Sequence, residues 1–442
     1  MNSAPPPIKP SRLAPLLRPV HAFLSAESAG GILLLLSAIA ALVWANWPGG
    51  QSYHHFWRAE LGVEIGRTSH VMSLERWVND GLMVLFFLLV GLEIKRELLV
   101  GELASFRRAS LPVAAALGGM IVPALIYVAL NAHGAGSAGW GIPMATDIAF
   151  AVGVLALVGR ALPTSAKVFL LAVAIVDDLG AVLVIAIFYT RHISTTALII
   201  AGAFLAALVM LNILRVHRPL PYVLLGIGLW AATLYSGIHA TVAGVLLAST
   251  IPASRQIEET TFLDYARRML AQFEVDAKAV PDQITEDQSH SLKAMEEASQ
   301  AVQTPLARVE HALLKPVNFV IVPLFALANA GVDVRSGAGP ALNSRVMWGV
   351  LLGLVLGKPL GILLASWTAT KSGLAVLPEG TTWRAVVGIS VLCGIGFTMS
   401  LFVANLAFGG QENLLTAAKV GILAASVVAG VAGGAIVRRA RL

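Results

Sequence analysis

Residues 171–188 read LAVAIVDDLGAVLVIAIF, a run of eighteen in which only Asp177 and Asp178 carry charge. A helix of about 20 mostly apolar residues crosses the hydrocarbon of a bilayer, and an ionisable group at that depth costs several kcal/mol, which makes it a functional candidate by default. Successive helical residues point about 100° apart, so the two carboxylates cannot share one direction. One can face a water-filled cavity while the other faces an adjacent helix.

Outward from this run, apolar segments of spanning or near-spanning length fall at 29–46, 73–95, 110–131, 138–159, 164–190, 196–214, 220–235, 237–251, 310–330, 347–369, 384–408 and 415–437. The chain of 442 residues is 57% hydrophobic and 13% charged, far too apolar for a water-soluble domain of this size. These features predict an all-α membrane protein of twelve transmembrane helices. The run 29–46 is followed by Asn46-Trp47-Pro48, which offers no small-residue cleavage site, so it is expected to be a retained first helix. A single cysteine, Cys393, excludes a disulfide framework or a cysteine metal site within one chain.

The formal charge of +6 does not imply nucleic acid, because the basic residues sit in short groups between apolar runs. On alternate sides, one set holds Lys9, Arg12, Arg18, Lys95, Arg96, Arg107, Arg108, Arg160, Lys167, Arg215, Arg218, Arg308, Lys315, Lys371, Arg384, Arg438, Arg439 and Arg441. The other holds Arg58, Arg67, Arg76, Arg191, Arg335 and Arg345. The positive-inside rule then places both termini in the cytoplasm of a multi-pass protein. Residues 1–28 form a cytoplasmic N-terminal segment, and 47–72, outside, alternate apolar and polar residues as a short hairpin would. Helices 1–8 occupy 29–251 and helices 9–12 with a short tail occupy 310–442. Between them, 252–309 is a cytoplasmic insertion whose acidic stretch, 253–305, carries two amphipathic patterns of a solvated helical hairpin.

Four ionisable residues lie deep in these segments: Asp147, Asp177, Asp178 and Lys358. Ion pairs that merely stapled helices would need balanced charge, whereas three acids against one base suit a cation. Lys358, in LLGLVLGKPLGILL (351–364), is the cation available to pair with one of the adjacent acids. Asp147 sits in GWGIPMATDIAFAVG (139–153), which Gly141, Pro143 and Thr146 interrupt. VLCGIGFTMSLF (391–402) is interrupted in the same way by Gly394 and Gly396. Paired broken helices free backbone carbonyls and helix ends near the midplane, where they can face an ion. Carboxylates, a threonine hydroxyl and carbonyls are hard oxygen donors suited to Na+ or Li+, and protons compete for the same oxygens.

At these residues the sequence resembles the NhaA family of sodium/proton antiporters. The resemblance is carried by VNDGLMVLFFLLVGLEIKREL (78–98), MATDIAFAVGVLALVG (144–159), AIVDDLGAV (174–182), SGIHATVAGV (236–245), PLFALANAGV (323–332), GKPLGI (357–362) and CGIGFTMSLF (393–402). It implies two inverted repeats with crossed, discontinuous fourth and eleventh helices. Asp178 would be the principal Na+/H+ carboxylate, with Asp177, also at the Na+ site, the partner of Lys358. Thr146 and Asp147 would lie at the fourth-helix break and aid ion binding or charge compensation. It further implies a bacterial inner-membrane protein that expels one Na+ or Li+ for two entering H+, is switched on at alkaline pH, needs no cofactor, and dimerises through an external hairpin. The pH response would involve Glu93, Arg96, Glu97, Glu310 and His311. Two features depart from the family: the long insertion at 253–305, and Leu314 where the family has a histidine three residues after the Glu310-His311 pair. His133 and His239 stay open between functional and packing roles.

Two other function classes differ in pattern. Intramembrane aspartyl proteases place their acids on two helices in YD and GxGD motifs, whereas here the acids are adjacent and no GxGD occurs. A sodium channel would need no proton in return.

Overall fold

Backbone N–H and C=O groups have no water to bond with in hydrocarbon, so a chain this apolar folds into helices that satisfy those groups internally. The computed structural model of the protein describes residues 29–48, 50–65, 68–158, 162–190, 193–279, 285–333 and 339–439. The expected N-terminal segment 1–28, with Lys9, Arg12 and Arg18, lies outside the described residues, as do Arg67, Arg160, Arg191, Arg335 and Arg441.

In chain order the elements are α1 (Ala29–Asn46), α2 (Gln51–Arg58), β1 (Glu60–Ile65), β2 (Thr68–Ser73) and α3 (Met83–Val100). Next come α4 (Phe106–Asn131), the 3-10 helix α5 (Ala135–Met144), α6 (Ile148–Val158), α7 (Thr164–Phe188), α8 (Thr195–Ile213), α9 (Pro219–Ser236) and α10 (Val242–Thr250). The remainder are α11 (Glu259–Ala279), α12 (Glu286–Val302), α13 (Pro305–Pro316), α14 (Val322–Asn329), α15 (Arg345–Leu352), α16 (Lys358–Lys371), α17 (Trp383–Leu392), α18 (Phe397–Phe408) and α19 (Glu412–Arg439). Single π-helical turns precede α3 (Trp77–Leu82) and join α13 to α14 (Val317–Ile321) and α15 to α16 (Gly353–Gly357).

Eight stretches among the described residues are long and apolar enough to cross a bilayer. Two bent pairs, α5 with α6 at 41° and α17 with α18 at 44°, raise the candidates to ten. The two other expected spans differ for physical reasons. Segment 73–95 becomes a π turn followed by α3, whose second half carries Glu93, Lys95, Arg96 and Glu97. Segment 237–251 shortens to the nine residues of α10, because Gly237, at φ 88°, ends α9 in the left-handed region. Within 47–72, residues 51–58 are helical, and the hairpin is β1 against β2, antiparallel, with Glu60 opposite Ser73 and Ile65 opposite Thr68.

The chain divides into two compact units, and the division falls inside α7, between Asp177 and Asp178. One unit comprises the chain to Arg58, Ser110–Asp177 and Val322–Leu442. In it α1 packs on α6 and α14, while α19 packs on α15, α17 and α18. At one crossing glycine meets glycine: a Cβ on Gly361 of α16 would lie 2.0 Å from the Gly118 carbonyl oxygen of α4. The π turn before α16 packs against prolines, because a Cβ on Gly353 would meet Pro143 at 2.7 Å and one on Gly357 would meet Pro123 at 2.7 Å.

The other unit comprises Ala59–Ala109 and Asp178–Ile321. Its core joins Leu88 and Leu92 of α3 to Leu208, Tyr222, Leu229 and Ala248 of α8, α9 and α10. Helices α11 and α12 of the expected insertion pack on each other. Thr285 begins α12 with a capping box, accepting from Gln288 N at 3.2 Å while Gln288 Oε1 accepts from Thr285 N at 3.0 Å.

Adding a methyl at the α4–α16 crossing should push the helices apart. Gly361→Ala should cost about 1–3 kcal/mol and lower the melting temperature in detergent. Gly202→Ala on α8, with nothing within 4 Å of its new Cβ, should leave it unchanged or slightly raised. Equal melts for the two variants would refute the close crossing.

Candidate functional site

Asp177 and Asp178 lie in the middle of α7, 1% and 0% exposed. Lys358 is the first residue after the π turn of α15–α16 and is also 1% exposed. A π turn shifts the phase of the helix that follows it, and this one brings Lys358 Nζ to 2.6 Å from Asp177 Oδ2. The same ammonium donates to the carbonyl oxygen of Met144, the last residue of α5. Of the two adjacent acids, Asp177 is thus the one that faces Lys358.

The two helix breaks meet each other. Between α5 and α6 the chain is extended at Ala145, with φ −81° and ψ 143°. Thr146 Oγ1 donates to the Cys393 carbonyl at 2.9 Å, and Asp147 N donates to the Ile395 carbonyl at 2.7 Å. Ser400 Oγ donates to the Ile142 carbonyl at 2.8 Å. Side chains and amides of each break therefore satisfy carbonyls stranded by the other.

Asp147 serves two helices at once. Its Oδ1 accepts from Phe150 N at 2.9 Å, which caps α6; its Oδ2 accepts from Thr398 N at 3.0 Å and Thr398 Oγ1 at 2.5 Å, which caps α18. A carboxylate here meets the partial positive charge of two helix N-termini, and the Lys358 ammonium meets the negative C-terminal end of α5. Pro143 abuts Gly353 near the end of α5. A Cβ on Gly394 would sit 2.6 Å from the Leu354 carbonyl, and one on Gly396 would strike Ser400 Oγ at 2.2 Å, so neither position has room for a larger residue.

A second cluster gathers on the other unit. Arg96 Nη2 lies 3.4 Å from Glu97 Oε1, and Arg96 Nε lies 3.1 Å from Glu310 Oε1 of α13. Glu97 Oε2 also accepts from Glu102 N at 3.0 Å, and Glu93 lies within the electrostatic reach of Glu310, Arg96 and Glu97. His311 is exposed beside Glu310, and Leu314 is 39% exposed. Lys95 donates to the Ser249 and Ile251 carbonyls at 2.6 and 2.5 Å, closing the C-terminal end of α10. His239 lies 2.8 Å from the Tyr189 carbonyl through Nε2, and Cys393 is fully buried.

The structure also brings forward residues that sequence reading gave no role. Thr398 and Ser400 stand in the broken segment, and the signal available was a hydroxyl residue in the first turn after a glycine break. Lys419 adds to the inventory of deep charges: it is 9% exposed within α19, buried like the four expected residues. Lys419 acts on His54 of α2, whose imidazole is held below its usual range by burial first and then by Arg58 and Lys419.

A family model described as Na+/H+ antiporter 1 matches residues 21–437. The chain is 48% identical over 425 residues to the Na+/H+ antiporter NhaA of Koribacter versatilis, covering 96% of this chain and 92% of that one. It is 48% identical over 434 residues to the NhaA of Oleidesulfovibrio alaskensis, covering 98% and 96%. With the NhaA of Helicobacter pylori it shares 45% over 414 residues, covering 93% of each.

The chain belongs to the Na+/H+ antiporter 1 family.

Membership makes it a multi-pass membrane transporter and sets aside the protease reading, since this antiporter family is not one of enzymes. In this family member, cutting Lys358 to alanine strands a buried carboxylate. Lys358→Ala should therefore cost about 3–5 kcal/mol, read as a large fall in the detergent melting temperature. Lys358→Arg, which keeps the charge on a bulkier planar head, should retain most of the stability. A wild-type melt for Lys358→Ala would refute the pair.

Proposed function

We propose that this chain exports Na+ from a bacterial cytoplasm across the inner membrane in exchange for external H+, two protons entering per ion, with Li+ as an alternative cargo. The observation that carries this reading is the meeting of two discontinuous helices, closed electrically by Asp147 and Lys358, beside two adjacent buried carboxylates on α7. Such an arrangement offers buried oxygen ligands next to helix ends whose charges are matched. Family membership supports the cargo assignment.

In this reading Asp178 is the principal ligand of Na+ and exchanges it for a proton, with Asp177 contributing to the same site. Na+ and H+ bind to overlapping oxygens, so neither leaves without the other being free to take its place. Asp177 alternates between Lys358 and the exchanged species, while Thr146 and Asp147 hold the broken helices in register. No cofactor takes part. The positive-inside count supports twelve crossings, with α3 and α10 among them, and both termini in the cytoplasm; family membership supports two inverted repeats. The β1–β2 hairpin, a two-stranded sheet among the described residues, suits dimerisation by strand addition.

Asp178→Asn keeps size and hydrogen bonding but cannot alternate between protonated and ion-bound forms. In proteoliposomes it should insert normally and show no Na+-driven proton movement. Wild-type exchange should respond to a valinomycin-imposed potential, because one net charge crossing 100 mV is worth about 2.3 kcal/mol. Exchange surviving in Asp178→Asn would overturn the central assignment, and voltage-independent rates would overturn the stoichiometry. Sodium flux without any proton movement would mark a channel.

Alkaline activation is assigned to the cluster of Glu93, Arg96, Glu97, Glu310 and His311, in which Arg96 pairs with both Glu97 and Glu310. Glu310→Gln removes a negative charge that favours the protonated form of Glu93, so Glu93 holds its proton less firmly. The activation midpoint measured from pH 6 to 9 should move to lower pH. An unmoved profile would end this regulatory assignment and leave the transport assignment intact.

A further inference from the structure

On the first unit a groove of about 630 Å³ runs between α6 and the last turns of α19. Val154 and Val158 form one wall, Gly430 and Gly434 the floor, and Arg438 and Arg439 lie at the α19 end. The floor is glycine without any packing reason on that face. A Cβ on Gly434 would find its nearest neighbours, Val154 and Val158 methyls, at 3.7 Å, and one on Gly430 would find Ile395 Cδ1 at 3.8 Å. At Gly433, by contrast, a Cβ would press on Leu392 Cδ2 at 2.8 Å, so that glycine is explained by α17. The groove therefore exists because two side chains one helical turn apart are missing where there is space for them.

Its surroundings define the occupant. Val427 and Val431 on α19 are 64% and 71% exposed, an apolar surface that in a transmembrane helix meets lipid chains. Arg438 and Arg439 are exposed, and neither has a carboxylate within 4 Å among the described residues. The first turn of α17 lies alongside, because a Cβ on Gly388 would meet Val437 Cγ2 at 2.7 Å, so Arg384 and the 38% exposed Trp383 belong to the same end of the bundle. Exposed arginines with a tryptophan at helix ends mark a headgroup layer. Basic pockets between transmembrane helices on the cytoplasmic side recognise anionic headgroups.

We propose that this groove holds one anionic phospholipid of the surrounding bilayer, an acyl chain lying over Gly430 and Gly434 and the phosphate resting on Arg438 and Arg439. The ligand packs directly on α6, the half-helix that begins at the Asp147 cap. Its binding does not depend on the exchange reading, so the two stand or fall separately.

The test uses the full-length, delipidated protein in detergent, with native mass spectrometry for binding and thermal melts for stabilisation. The probes are phosphatidylglycerol, phosphatidylcholine with the same chains, and inorganic phosphate. Phosphatidylglycerol should bind and raise the melting temperature; phosphatidylcholine should bind far more weakly, and phosphate should do neither. Arg438→Gln with Arg439→Gln should weaken phosphatidylglycerol binding about thirtyfold. Gly434→Leu, which fills the floor, should weaken it at least as much, and Arg384→Gln should not. If Gly434→Leu fails to fold, the surface pair of arginine variants carries the test alone. Equal binding of both lipids, full affinity in the arginine pair, the same loss in Arg384→Gln, or stabilisation by phosphate alone would each overturn the proposal.

Discussion

A helix that stops inside hydrocarbon strands up to four N–H groups at one end and four C=O groups at the other, and nothing in the lipid can satisfy them. The first unit contains two such stops and solves the problem by laying one on the other. Thr146 and the Asp147 amide reach the carbonyls of Cys393 and Ile395, while Ser400 reaches that of Ile142. One carboxylate, Asp147, caps both α6 and α18, and one ammonium, Lys358, closes the end of α5. The charges match the helix dipoles in sign, so two ions that would be costly alone are each placed where partial charge of the opposite kind is concentrated. The close approach this needs sets the small residues nearby, Gly394 against the Leu354 carbonyl and Gly353 against Pro143.

Much of this was legible in the chain. The 171–188 run gave a membrane helix with two acids, and glycine or proline in 139–153 and 391–402 gave the two interruptions, because those residues are the ones that end or bend a helix in a recognisable way. What was not legible depends on helical phase. Whether Lys358 meets Asp177 or Asp178 turns on about 100° of rotation and on the π turn Gly353–Gly357, which no residue pattern announces. Thr398 acquires its role only once the two breaks are laid together, and Lys419 was passed over inside an apolar run. Helix α10 is shorter than the apolar run 237–251 because hydropathy ignores where Gly237 turns the chain.

The Lys358–Asp177 pair is not evidence of stability in itself. Removing two charges from water costs several kcal/mol per ion, and a well-packed apolar pair often does as well or better. The additional bond from Lys358 to the Met144 carbonyl shifts that balance, since the ammonium also satisfies a helix end that would otherwise be stranded. Lys358 therefore has two partners with different properties: a carbonyl whose charge is fixed and a carboxylate that can take a proton. Only the second can change state, and when it does the first still holds the lysine in place. That asymmetry is what the proposed exchange requires of a cation that must remain near an ion path without blocking it.

The same geometry separates the two acids. With Asp177 bonded to Lys358, Asp178 projects about 100° away around α7. On the proposed reading Asp177 alternates between Lys358 and the exchanged species, while Asp178 is the principal ligand for which Na+ and protons compete. Adjacent positions in sequence thus yield different electrostatic environments because a helix turns between them. On the proposed mechanism this divides the work, Asp177 tying the site to the helix breaks through Lys358 and Asp178 exchanging the cargo. Moving either acid by one residue would put both the phase and the division out of register.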